Sequence, residues 1–249
     1  MDTQQQKQFN VLLIGDNCTD VYQYGTVDRI SPEAPVPIFK YSRQESRPGM
    51  AGNVAKNLEA LGCDVTYLCG ETSTKTRLID ARSKQQLIRI DDDVMSIPIT
   101  FDTAVPNVYD AIVVSDYNKG TVSYTVIEEL IKTGIPVFVD TKKTDLGRLQ
   151  GAWVKINELE YSKVTSECSG IIVTQGAKGA KVIHHDINYP APNVEVVDVT
   201  GAGDTFLSAF VYKYIATKDL HQAVLFAIEA SAVTVQHLGV YAPTQQEIK

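Results

Sequence analysis

Four short apolar runs constrain the fold of this chain most: Val11–Ile14, Ala111–Val114, Ile135–Val139 and Ile171–Val173. They are rich in β-branched residues and lack the polar alternation of a half-exposed strand. Parallel strands covered on both faces read this way. Helical stripes lie between them. Positions 51, 54, 55, 58 and 61 are apolar at helical spacing, with Gly62 to close the end. Val122, Val126 and Leu130 form a second stripe, Phe206, Phe210 and Tyr214 a third, and Ala223–Val235 a fourth. Such alternation predicts an α/β fold, with helices packed on a mostly parallel central sheet.

Two stretches depart from this plan. Residues 24–41 carry Pro32, Pro35 and Pro37, too many for a central strand or a helix. Residues 75–91 read as two short strands, Lys75–Asp80 and Gln86–Asp91, around a turn near Arg82–Ser83. Too few residues separate Val65–Cys69 from Lys75 for a helical crossover. Both stretches therefore predict a small antiparallel β lid. The expectation is one domain over residues 1–249.

Composition narrows the partners. A formal charge of −7 over 249 residues argues against a nucleic-acid binder. No apolar run is long enough to span a membrane, and the polar first eight residues lack a signal-peptide core. Cys18, Cys63, Cys69 and Cys168 are scattered, with no CxxC pair, and read as reduced, buried thiols in a cytoplasmic protein.

In open α/β sheets, ligands bind beyond the carboxyl ends of the strands. Here those ends carry Gly15-Asp16, Ser115-Asp116-Tyr117, Asp140 and Thr174-Gln175-Gly176. Asp116 and Asp140 taken singly read as ordinary strand-end caps. The strongest signal is Asp198-Val-Thr-Gly-Ala-Gly-Asp204, expected to run from a short strand into the Phe206 helix. Gly201, Ala202 and Gly203 expose backbone N–H groups at a helix start, a seat for a phosphate. A carboxylate beside an anion seat is best explained as a base, so Asp204 is expected to deprotonate a hydroxyl nucleophile.

Asp198–Phe210 resembles the C-terminal signature of the PfkB/ribokinase-type carbohydrate kinases. The segments 15–22, 29–37, 47–55, 75–77, 85–89 and 115–120 are similar to the kinase domain of bacterial heptose-phosphate kinase/adenylyltransferases. The resemblance implies a ribokinase-like three-layer sandwich and phosphorylation of the C1 hydroxyl of D-glycero-D-manno-heptose 7-phosphate by ATP with Mg2+. A PfkB-type kinase for ribose, fructose 6-phosphate or another sugar, and a silent nucleotide- or sugar-binding relative, stay open as alternatives. It also implies residue roles. Asp16, Asp20, Gly49 and Asn53 are expected at the sugar, and Arg77, Arg89 and Lys119 at a phosphate on it. Lys142, Asn157, Thr174, Gly176 and Gly179 are expected at the nucleotide, with Asn157 and Glu160 helping to hold magnesium. Asn57, one helical turn beyond Asn53, is expected on the surface. A homodimer through the lid is implied as well. Three features depart from the resembled pattern: Met50 stands where a second glycine is usual, the Gly70–Lys75 connection lacks a helix and a strand, and Ile228-Glu229 replaces the small and amide residues expected near the adenine.

Overall fold

The computed structural model describes residues 8–101 and 107–248. The first seven residues of the polar N-terminus, and the ends of the 1–249 domain expectation, lie outside them. Six parallel strands build the central sheet: β1 (Asn10–Ile30), β3 (Asp64–Asp80), β5 (Ala111–Asp116), β6 (Val137–Thr141), β7 (Trp153–Asn157) and β8 (Ile171–Thr174). β2 (Pro37–Met50), β4 (Gln86–Asp92), β9 (Ala180–Val182) and β10 (Ile187–Tyr189) complete it. The order is β10-β9-β8-β7-β6-β5-β1-β3-β4, with β2 antiparallel to β1. Each predicted apolar run lies in or next to one of these strands. The chain moves from β1 outward to β3 and then returns to β5 on the other flank, so the order reverses between β1 and β5. Ligand crevices form at such switch points.

Alternation along β1 divides its side chains between two cores. Val11 and Leu13 enter the core under α1 (Ala51–Ala60), α4 (Ala202–Thr217) and α5 (Leu220–Thr234). Leu12 and Ile14 enter the opposite core, under α2 (Tyr124–Lys132). Phe138, Trp153, Phe210 and Tyr214 pack edge-on across the first core at 5.6–5.9 Å between ring centroids. α4 is buried along most of its length and anchors the turn that precedes it.

The lid is a continuation of the sheet rather than a separate flap. β1 and β3 run on past the core as a parallel pair from Asn17↔Thr72 to Gly25↔Asp80, flanked by antiparallel β2 and β4. Pro32 and Pro35 sit in the turn between β1 and β2, and Pro37 opens β2. A proline is tolerated at a strand start or in a turn, so β1 extends to Ile30 undisturbed. The short Gly70–Lys75 connection is simply strand, which is why no helix is needed there.

Three further expectations are corrected. No strand precedes Gly201: Val196, Val197 and Val199 are exposed, and the Val197 and Asp198 amides bond the Val235 carbonyl instead of a ladder. Cys69 is exposed, while the other three thiols are buried and all four are free. Asn57 is buried, because its side chain joins α1 to α4 by accepting from the Thr205 hydroxyl at 2.8 Å. Among the described residues, no helix is long and apolar enough to cross a membrane.

Candidate active site

The turn before α4 is held open by its own chemistry. Gly201 has φ +81°, a left-handed conformation that strains other residues, and a Cβ there would meet the Asn53 amide at 2.9 Å. Gly203 admits Lys155, whose Nζ would lie 2.8 Å from any added Cβ. No side chain caps the helix. The Ala202 amide donates to the Val199 carbonyl at 3.3 Å, whereas the Gly203 and Asp204 amides find no acceptor among the described residues. Two free N–H groups at the positive end of a buried sixteen-residue helix form an anion seat.

Asp204 is 8% exposed and both its oxygens are engaged. Asn53 Nδ2 donates to Oδ2 at 2.8 Å, and the Tyr117 hydroxyl donates to Oδ1 at 3.0 Å. Burial is the main cause that lifts its pKa, to about 6, and the Asp140 charge adds to it; the Asn53 and Tyr117 donors and the Lys155 ammonium pull the other way. A carboxylate titrating near 6 is mostly ionised at neutral pH yet holds a proton well enough to take one from an alcohol.

A cavity of about 180 Å³ opens beside this carboxylate, lined by Gly201, Gly203, Lys142, Asn157 and Glu160, with Asp116, Tyr117, Asp140 and Lys155. The first five were predicted. The last four were not assigned to the site, and the sheet brings them in: they belong to or follow the carboxyl ends of β5, β6 and β7. Lys155, 6% exposed, pairs with Asp140 at 2.7 Å, which keeps its ammonium above the ordinary value despite burial. Asp116, 2% exposed, receives Lys143 at 2.9 Å and the Thr141 hydroxyl at 2.5 Å. The sequence signal for Lys155 was its place two residues before Asn157, on a strand buried among apolar neighbours.

Asn157 and Glu160 form a reciprocal capping box on a single helical turn, α3 (Glu158–Tyr161), and Glu160 also receives Lys142. Burial alone would raise the Glu160 pKa, but that ammonium and the Asn157 amide hold it below the usual carboxylate value. Among the described residues no cluster forms a metal cage from protein donors alone. The oxygens of Asn157, Glu160 and Asp140 around one cavity fit a magnesium ion that keeps most of its waters and phosphate ligands.

On the far flank of Asp204, the lid strands present Cys18, Asp20, Tyr22, Arg47, Lys75 and Arg77 on one face by register. Arg77 is ion-paired with Asp20, and the Arg47 and Arg77 guanidiniums each lie 5.3 Å from the Tyr22 ring. Gly49 leaves the room Asp20 occupies. Burial, with Asp20 beside it, pushes the Cys18 thiol up to about 11, so it is inert. Met50, 5% exposed, has φ +50° and ψ −132°, a conformation natural to glycine. A methionine thus occupies a backbone conformation that costs a residue with a side chain local strain.

The other predicted residues lie apart. Asp16 accepts from the Tyr117, Lys119 and Thr121 amides at 2.7–3.2 Å, so it shapes the turn after β5 instead of facing the cavity. Lys119 pairs with Asp93 at 2.5 Å, and Arg89 is held by Asp91 on the outer lid strand. Thr174, Gly176 and Gly179 cluster at the end of β8, one strand beyond the cavity.

This architecture is shared with solved ribokinases. The Thermotoga maritima ribokinase superposes with a TM-score of 0.73 over 96% of this chain and 98% of that one, at 17% identity. Arabidopsis thaliana ribokinase, solved with ribose and ATP, gives 0.72 over 97% and 98%, at 16% identity. The fold is thus ribokinase-like. Sequence comparison is more specific. Residues 152–247 match the pfkB family carbohydrate kinase. The bifunctional protein HldE of Nitrosococcus oceani is 32% identical over 301 positions, covering 96% of this chain and 63% of the relative. That of Pectobacterium carotovorum is 32% identical over 304 positions, covering 98% and 63%. The chain spans less than two thirds of these relatives, and the aligned positions outnumber its 249 residues, so they carry segments it lacks. Residues 152–247 thus carry a pfkB-family carbohydrate kinase match, and nearly the whole chain is similar to part of HldE.

Proposed function

We propose that this protein transfers the terminal phosphate of ATP to a hydroxyl of a sugar phosphate, with D-glycero-D-manno-heptose 7-phosphate as substrate and its C1 hydroxyl as acceptor. The observation that carries the reading is the buried carboxylate of Asp204 directly beside two unpartnered helix-start amides. In this reading the acceptor alcohol lies between Asp204 and the phosphate seat. Asp204 takes its proton while the Gly203 and Asp204 amides and the Lys155 ammonium stabilise charge on the transferring group. Lys142, Thr174, Gly176 and Gly179 hold the rest of the nucleotide. Magnesium, when bound near Asn157 and Glu160, neutralises phosphate charge.

The sugar side supports an anionic substrate. Asp20 supplies a carboxylate for vicinal hydroxyls, which reach it by displacing Arg77. Arg47 and Arg77 around Tyr22, with Arg89 one strand further out, then face the substrate's own phosphate. Arg47 replaces Lys119 in this reading, because Lys119 is committed to Asp93.

The test is ADP release against a panel of free sugars and sugar phosphates. Turnover on a heptose 7-phosphate, and little on unphosphorylated sugars, is expected. Turnover confined to ribose or fructose 6-phosphate would reassign the substrate, and none on any sugar would overturn the kinase reading. We also propose pairing of two copies through the lid. Its outer face carries Leu78, Ile88 and Ile90 in register, the last two about half exposed. Sedimentation should return twice the 27.4 kDa chain mass, and a monomer at micromolar concentration would refute it.

A further inference from the structure

Both oxygens of Asp204 accept a hydrogen bond, and the two donors differ in kind. Asn53 offers an amide N–H, which no sugar hydroxyl resembles. Tyr117 offers an O–H, the same donor that a sugar alcohol would present. The phenol is also firmly held. Its backbone N–H donates to buried Asp16 at 2.7 Å. Its ring lies between the Lys75 ammonium of the lid, 5.9 Å from the centroid, and the Lys142 ammonium of the phosphate side, 5.5 Å away. The remaining titratable groups facing Asp204 cannot act this way: Asp140 is an acceptor, Lys155 is bound to Asp140, and Cys18 is a weak donor.

We propose that the Tyr117 hydroxyl keeps the acceptor's place on Asp204: it occupies Oδ1 until a substrate alcohol displaces it, and so denies that position to water. The proposal rests on the kinase reading above. A water bonded to Oδ1 would have a base on one side and the phosphate seat on the other, and would hydrolyse ATP without transfer. The phenol filling that position prevents this, and yields to an alcohol that brings further contacts of its own.

Tyr117→Phe keeps the ring between its two lysines and removes one oxygen. Sugar-free ATP hydrolysis is expected to rise about tenfold, because the vacated position admits water. The KM for the acceptor should fall, since nothing has to be displaced. The acid limb of the transfer profile should move upward by roughly half a pH unit or more, because a donor to the ionised carboxylate is gone. An upward limb with unchanged hydrolysis and a higher KM would make Tyr117 a support for the base alone and overturn the proposal, as would no change in any readout. The Asp204 carboxyl titration, followed by carbon-detected NMR on ligand-free wild type and variant, needs no substrate. It therefore tests the Tyr117 contact even if no sugar is turned over.

Discussion

Asp204→Asn is expected to lower phosphoryl transfer about a thousandfold while raising stability, since a general base contributes 10²–10⁴ in rate. The substitution keeps the shape of the side chain and one acceptor for Asn53 or Tyr117, so ATP affinity should change little. The stability gain follows from the raised pKa. The folded state holds a proton on Asp204 up to about pH 6, whereas the unfolded chain releases it near 3.8. Stability from this group is therefore complete at low pH and is lost as pH rises between those two values. At pH 7.5 the ionised carboxylate costs the fold up to roughly 3 kcal/mol, at 1.36 kcal/mol per pKa unit. The amide of the variant sets one donor against another, so about 1 kcal/mol should survive, or ~2–4 °C in melting temperature. Calorimetry at pH 7.5 and pH 4.5 tests the sign, since the advantage should shrink at the lower pH. Equal turnover in the variant would remove Asp204 from the chemistry, and a melting point unchanged at both pH values would remove the buried charge.

The parts of this arrangement that lie close together in sequence were legible before the structure. The parallel strands are apolar on both faces, and the glycine turn into α4 is one contiguous segment. Asn157 and Glu160 read as a pair only through the family resemblance, and the structure joins them as a capping box on one turn. The Lys155–Asp140 pair was not legible, because its members sit on adjacent strands, fifteen residues apart, and each resembles an ordinary strand-end charge. Tyr117 was hidden for the same reason: its partner lies 87 residues away on a helix. Asn57 was expected on the surface, yet α4 covers that side of α1 and its polar group is satisfied by Thr205, itself bonded to Thr234. The lid was read from its prolines as a break in the sheet. Placing those prolines in a turn and at a strand start lets β1 carry Asp20 and Tyr22 out of the core without interruption.

Lys155→Met should be the most damaging single change outside Asp204. Among the described residues the ammonium is its partner's only cation at bonding distance, and both are nearly enclosed. Its removal leaves the Asp140 carboxylate buried without a counter-charge, a loss of about 3–5 kcal/mol in comparable cases. It also empties the cationic floor under Gly203, which should reduce transfer by roughly a hundredfold to a thousandfold. These two losses can be separated by neutralising both partners. Lys155→Met with Asp140→Asn should regain most of the stability, because no charge remains unpaired, but little of the activity, because the phosphate seat still lacks its cation. The pH profile adds an independent reading. Lys155 lowers the Asp204 pKa and Asp140 raises it. The acid limb should therefore rise above that of the wild type in the single variant and return toward it in the double. A single variant as stable and active as the wild type would show that Lys155 serves neither the fold nor the phosphate. A double variant that recovers full turnover would show that the pair matters only for packing.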